Sequence, residues 1–321
     1  MKRLVLRLGL LIVLAISAGT IYEYWGERQD QERLLQIGRS VDVGGRSLNI
    51  YCSGEGAPVV ILEAPGGPGY VWAHIQPKIA RFTTACWYDR AGEGWSDPGP
   101  FPRTAAAIAK DLHSLLSKSR ILPPYVLVGY SFGGLIVRVY GGTYLDEVAG
   151  VVLVDSAHED EPRRAPRFFL AHSPPHYLRY PLFLFVKASA NLGLVRITSR
   201  SSTDLVQSLR RQPKSFVNEP ATGFYIPESY AEAHAAPGLA DRPLIVLTAG
   251  KAQPWPNPDM QKQADQYQQV WIREMQSQLA RLSTRGKQIV VDNSDHGILE
   301  EAPEAVINAV HEVVDDVRGH R

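Results

Sequence analysis

From Arg39 onward, short apolar runs rich in β-branched residues alternate with longer stretches of helical spacing. Arg39–Val43 and Arg46–Cys52 flank Gly44-Gly45, which predicts a hairpin with a glycine turn. Pro58–Glu63 is a near-continuous apolar run, and the loop after it, Ala64-Pro65-Gly66-Gly67-Pro68-Gly69, is one no helix survives. Thr83–Tyr88, Tyr125–Tyr130, Val148–Val154, Pro243–Thr248 and Lys287–Asp292 read as further strands. Between and after them, Thr104–Ser117 (with Thr104 as a cap), Phe132–Tyr144, Met260–Leu282 and Ala302–Val317 read as helices.

Apolar strands separated by helices call for a mostly parallel sheet covered on both faces, here with an antiparallel N-terminal hairpin. This is an α/β architecture. Some 90 residues without a strand-like run separate Asp155 from Pro243, too many for a loop in a compact domain. That stretch is rich in aromatics and prolines, and too apolar to stay solvated. It reads as a helical lid insertion over residues 158–240, between core segments 37–157 and 241–321.

The N-terminus departs from this pattern. Lys2, Arg3 and Arg7 precede an apolar run from Leu8 to Ala18 that continues to Ile21, the arrangement of an export signal. Basic residues before the run and Glu23, Glu27 and Asp30 after it place the N-terminus in the cytoplasm and send the body across. Ala15-Ile16-Ser17 and Ile16-Ser17-Ala18 are imperfect cleavage sites, while Tyr22, Tyr24 and Trp25 suit the interfacial belt of a retained anchor. The uninterrupted run spans a bilayer only if Leu4–Leu6 join it past Arg7. Residues 1–36 are therefore expected to be a signal anchor, or a cleaved signal, with a polar linker from Glu27 to Gln36. On either reading the protein is expected to be exported, tethered to the membrane or released; the alternative, a buried N-terminal helix of a cytoplasmic protein, is disfavoured because nothing on that run is amphipathic.

Composition changes this picture little. A length of 321 residues, 45% hydrophobic and 21% charged, suits a large globular domain, and a net charge of +1 argues against nucleic acid as a partner. Two cysteines, Cys52 and Cys86, are too few for a zinc site. An exported chain invites them to pair, although both lie in strand-like runs that suit buried thiols.

The candidate chemistry centres on Gly129-Tyr130-Ser131-Phe132-Gly133. This G-x-S-x-G pattern lies between a predicted strand and a predicted helix, where a sharp turn lifts the serine hydroxyl above the sheet. A serine hydroxyl needs a base. His296 follows the last strand in Asn293-Ser294-Asp295-His296-Gly297, at the edge where active sites of such sheets form. His158, also just after a strand, is its rival; His74, His113, His311 and His320 read as solvated, and His172, His176 and His234 as at most substrate contacts.

With serine first and histidine last, the chain from Arg46 onward resembles the α/β-hydrolase fold family. The matching stretches are LNIYCSGEG, VVILEAPGGPG, CWYDRAGEGWSDPGP, YVLVGYSFGGLIVRVY, VVLVDSAHED and VVDNSDHGI. The resemblance implies acyl transfer to water through an acyl-enzyme on a small-molecule acyl substrate, with no cofactor or metal and an apolar acyl pocket. It implies an oxyanion hole from the Phe132 N–H and a second N–H in the loop after Pro58–Glu63. Many relatives carry His-Gly in that loop; Ala64-Pro65 stands here, which leaves Gly66 or else Gly67 as donor. The usual position for the triad acid, after Pro243–Thr248, has no carboxylate before Asp259. Asp155, ending Val148–Val154, is the preferred acid, with Asp259, Asp295, Glu159 and Asp160 as alternatives; Asp89-Arg90 reads as a structural ion pair. The family's strand order also puts Cys52 beside Cys86, implying a disulfide. Peptidase, lactonase or haloperoxidase-like chemistry on the same triad is the alternative function, and a non-catalytic binding protein a remoter one. Epoxide hydrolases and dehalogenases carry aspartate where Ser131 stands.

Overall fold

In a computed structural model, which describes residues 2–169, 173–198 and 204–319, eight strands form one sheet in the order β1-β2-β4-β3-β5-β6-β7-β8. The strands are β1 (Arg39–Asp42), β2 (Ser47–Ser53), β3 (Val59–Glu63), β4 (Ala85–Tyr88), β5 (Tyr125–Tyr130), β6 (Val148–Val154), β7 (Leu244–Ala249) and β8 (Gly286–Val291). β1 and β2 pair antiparallel, β2 pairs antiparallel with β4, and every later pairing is parallel. The hairpin turn uses Gly44 and Gly45 at positive φ, with both amides donating to the Asp42 carboxylate.

The central strands bury both faces, so alternate residues enter different cores. On β5, Tyr125 and Leu127 pack with α3 (Ala105–Ser119) and α4 (Phe132–Thr143), whereas Val126 and Val128 pack towards α14 (Pro303–Gly319). Thr104 caps α3 by accepting the Ala107 amide. Short helices α2 (Gln76–Ile79) and α13 (Ile298–Glu301) complete the second face.

Cys52 stands opposite Cys86 in the antiparallel register of β2 and β4, and the two form a disulfide. Pairing strands bring the sulfurs together here, so the alternative of two buried thiols does not hold.

The described parts of the stretch between β6 and β7 are largely helical, in keeping with its composition. It contains α5 (Glu161–Arg164), α6 (His176–Asn191), α7 (Leu194–Thr198), α8 (Leu205–Arg210), α9 (Pro213–Gly223) and α10 (Ile226–Ala235). Polar contacts fasten it over the C-terminal edge of the sheet: Asn218 donates to Glu93 at 2.7 Å, Arg210 to the Gly66 carbonyl at 3.2 Å, and the Arg103 amide to the Ala221 carbonyl.

Two helices depart from the sequence reading. α1 runs unbroken from Lys2 to Arg33, so Glu27–Arg33 is helix where a linker is predicted. Its polar end is held by contacts to α6 and α7, which periodicity does not reveal. The predicted helix Met260–Leu282 is α11 (Pro258–Val270), a π-helical segment over Trp271–Gln276, and α12 (Ser277–Ala280).

Candidate active site

Ser131 occupies the turn between β5 and α4 with φ 53° and ψ −121°, a backbone conformation that L-residues rarely adopt. The turn closes because its neighbours are small. A Cβ on Gly134 would fall 1.8 Å from Ser156 Oγ, and one on Gly133 2.6 Å from the Ala64 carbonyl oxygen. The Ser131 amide donates to the Val154 carbonyl, which ties the turn to the neighbouring strand.

Three residues from remote segments meet there. His296 Nε2 lies 3.0 Å from Ser131 Oγ, and His296 Nδ1 lies 2.6 Å from Asp155 Oδ2. The other Asp155 oxygen, Oδ1, accepts the Ala249 amide at 3.0 Å and Trp271 Nε1 at 2.7 Å. Asp155 is buried, as expected for a carboxylate whose acceptor capacity is met. Burial alone would lower the basicity of His296, but the hydrogen bond and charge of Asp155 outweigh it and hold the imidazole above its ordinary pKa.

Because β7 lies between β6 and β8, Asp155 and His296 are separated by a strand. The loop after β8 folds back across the end of β7 to close this gap. The Gly250 amide donates to the carbonyls of Val291 and Ser294, and the Lys251 amide to that of Ser294. A Cβ at Gly250 would lie 2.5 Å from the Asp292 Cα, so only glycine allows the crossing at this distance. The Tyr130 hydroxyl then donates to the His296 carbonyl.

The remaining candidates lie elsewhere or have other partners. Asp259 is exposed in the first turn of α11, with its amide on Asn257. Asp295 accepts the Gly297 amide, Glu159 pairs with Arg138 and Asp160 with Arg163. His158 is buried and accepts the Asp160 amide through Nδ1. His74 reaches the Leu299 carbonyl and His113 stacks on Tyr144, so neither is merely solvated; His311 packs edge-on against Phe82 and lies 3.5 Å from Asp315. His176 and His234 lie beside Glu228 and Glu159, and His172 and His320 fall outside the described residues. Asp89 and Arg90 do not pair. Asp89 accepts the Gly69 and Trp95 amides, while Arg90 pairs with buried Glu63 and crosses the Phe132 ring at 5.3 Å. The carboxylate facing Arg90 thus comes from the end of β3, not from its chain neighbour.

Phe132 opens α4, so its amide points out of the helix N-terminus beside Ser131. Gly66 and Gly67 form the loop after β3, Gly67 at φ +73°, with Arg210 against them. A cavity of about 200 Å³ opens over Ser131 and His296. Phe169, Tyr267 and Trp271 form an aromatic wall, while Glu161, Gln268 and the exposed Lys251 and Gln253 make the lining more polar than the expected apolar acyl pocket. Burial raises the pKa of Glu161, which accepts the Tyr230 hydroxyl at 2.9 Å. Among the described residues, no group of His, Cys, Asp and Glu is arranged to hold a metal ion.

Trp271, Gly250, Arg90 and Glu161 have no clear signature in the sequence. The one available hint is a tryptophan on an otherwise polar helix.

Similarity to known proteins agrees with this fold. An esterase from Thermogutta terrifontis superposes with a TM-score of 0.61 at 18% identity, covering 88% of this chain and 99% of its own. An enol-lactonase from Burkholderia xenovorans gives a TM-score of 0.58 at 16% identity, over 86% and 100% of the two chains. A Hormonema carpetanum protein named as a transporter is 25% identical over 94% of this chain but 45% of its own length. The chain spans less than half the length of this and the next four curated relatives it matches. A family model described as the alpha/beta hydrolase family matches residues 59–309, and this chain belongs to that family.

Proposed function

We propose that the protein is a membrane-anchored serine hydrolase that cleaves acyl esters, with Ser131 as nucleophile, His296 as general base and Asp155 as the orienting acid. The observation that carries this reading is the unbroken relay from Ser131 Oγ to His296 Nε2 at 3.0 Å and from His296 Nδ1 to Asp155 at 2.6 Å.

Ser131 Oγ attacks the ester carbonyl as His296 Nε2 takes its proton. The carbonyl oxygen becomes an oxyanion, which the N–H groups of Phe132 and Gly66 stabilise. His296 then returns the proton to the departing alcohol oxygen, leaving Ser131 acylated. Water, deprotonated by His296, attacks the acyl carbon and releases the carboxylic acid, and the proton goes back to Ser131. Asp155 keeps the Nδ1 proton in place and supports the imidazolium between these transfers. Residues 158–240 act as the lid.

The helix α1 supports the anchor, since its apolar span has a mean hydropathy of 2.3 and none of that span is buried. Lys2, Arg3 and Arg7 on its N-terminal side favour a cytoplasmic start, and the Cys52–Cys86 disulfide suits a body in an oxidising compartment.

A fluorophosphonate probe tests the chemistry directly, because labelling requires an activated serine. Labelling at Ser131, with turnover across a panel of esters graded by acyl length, is the expected result. An intact chain that neither labels nor turns over any ester refutes it.

A further inference from the structure

The polar half of α1 is not free beneath the apolar span: it is built into the lid. Arg196 on α7 grips Glu23 with two hydrogen bonds, at 2.8 and 3.1 Å, and reaches Asp30 at 2.7 Å. Glu23 is only 5% exposed, so this cluster is an interior joint rather than a surface pair. The backbones meet closely just above it. A Cβ on Gly19 would lie 2.6 Å from the Leu192 carbonyl oxygen, and one on Gly193 would lie 2.7 Å from the Tyr22 ring.

These contacts fix a depth. The apolar run ends at Ile21, and Tyr22, Tyr24 and Trp25 follow, all largely exposed and of the kind that settles among lipid headgroups. Leu192 and Gly193, the corner between α6 and α7, therefore stand at headgroup level. From there α7 runs beside α1 away from the apolar span, since Arg196 meets positions 23 and 30 whereas Leu192 meets 19. Apolar side chains exposed over half or more of their surface, or close to it, lie on the two helices that meet at this corner: Leu184 and Phe185 on α6, and Leu194 and Ile197 on α7, at 45, 69, 51 and 67% exposure. Continuity with the apolar span identifies what covers them.

We propose that this lid corner is a membrane-contact surface, seated in the headgroup region of the same bilayer that holds α1. The Arg196 cluster joins lid and anchor. The contact surface rests on α1 being a retained anchor.

The test uses the full chain reconstituted in phosphatidylcholine–phosphatidylglycerol vesicles. An environment-sensitive fluorophore is placed through Leu194→Cys and, as a control, through Leu122→Cys, which lies before β5 at the opposite edge of the sheet and is 74% exposed. The label at 194 is expected to shift to the blue and to be quenched by brominated lipid, while the label at 122 answers only to aqueous iodide. Equal iodide quenching at both positions in carbonate-resistant protein overturns the contact surface while leaving the anchor intact. A mature chain that begins near Ala18, or one that carbonate extracts, overturns the anchor and the surface together.

Discussion

Trp271 donates its indole N–H to Asp155 at 2.7 Å, on the carboxylate oxygen that His296 leaves free. A hydrogen bond to a charged group in a buried site contributes about 1.5–3 kcal/mol. Trp271→Phe keeps most of the aromatic wall and removes only this donor. Turnover is expected to fall roughly 10-fold or more through kcat, since the lost bond positions the acid rather than the substrate. Steady-state kinetics on one soluble ester check this; an unchanged kcat removes Trp271 from the relay.

Ser131→Ala and His296→Ala should each lower turnover by at least about 10⁴-fold while the protein stays folded, and His158→Ala should be mild. The strained backbone at φ 53° adds a second expectation that does not involve activity. Ser131→Gly should be more stable than Ser131→Ala by about 1 kcal/mol, because glycine adopts this conformation without strain. Denaturation midpoints of the two variants measure it, and the reverse order contradicts a strained nucleophile.

The acid limb of the pH profile follows from the raised pKa of His296. Catalysis needs the neutral imidazole, so kcat/KM should fall as pH drops through a value above the ordinary histidine pKa of about 6.5. Asp155→Asn removes the charge that raises it. The residual activity, lower by several orders of magnitude, should carry its acid limb at lower pH. A limb that stays in place would show that another group controls it.

Gly250→Ala tests the loop crossing. The added Cβ meets the Asp292 backbone and must push the segment carrying His296 outwards. A displacement near 1 Å at the reacting groups costs on the order of 10²-fold in rate. The expected signature is a low kcat, with thermal stability reduced far less than activity.

Glu93 is buried, and this burial raises its pKa to about 7 against the favourable hydrogen bond from Asn218. A carboxyl group with a raised folded pKa contributes its full stability below the unfolded value and loses it as pH climbs through the folded one. Glu93→Gln keeps an acceptor for Asn218 and removes the ionisation. The variant should match the parent near pH 4 and exceed it by up to roughly 3 kcal/mol above pH 8. Melting curves across this range check the sign.

The parts of the site legible in the sequence are those defined by local structure. Ser131 lies between a buried strand and a helix within five residues, and His296 follows a strand end, so each carries its context with it. Asp155 was one carboxylate among several because its role depends on how the loop after β8 folds over β7, a contact made by backbone amides of Gly250 and Lys251. Trp271 was invisible for a similar reason: its partner is 116 positions away, and periodicity reports only the face a helix buries. The full length of α1 is not legible because the apolar run ends at Ile21 and the partner of its polar end, Arg196, lies far along the chain, although Glu27–Arg33 are good helix formers.

The π-helical turn over Trp271–Gln276 gives one helix two tasks on adjacent residues. Trp271 bonds Asp155, and Gln276, five positions later, donates to the carbonyl of Ser156 at 2.7 Å. In a regular α-helix, side chains five positions apart point about 140° away from each other. Winding to i+5 brings them onto one side. Ordinary winding of the same residues, without shortening the chain, would turn the two side chains about 140° apart and force the helix to choose between its two bonds. A homologue one residue shorter here would carry the two side chains at i and i+4 of an ordinary α-helix, and should keep both the partner of Asp155 and that of Ser156.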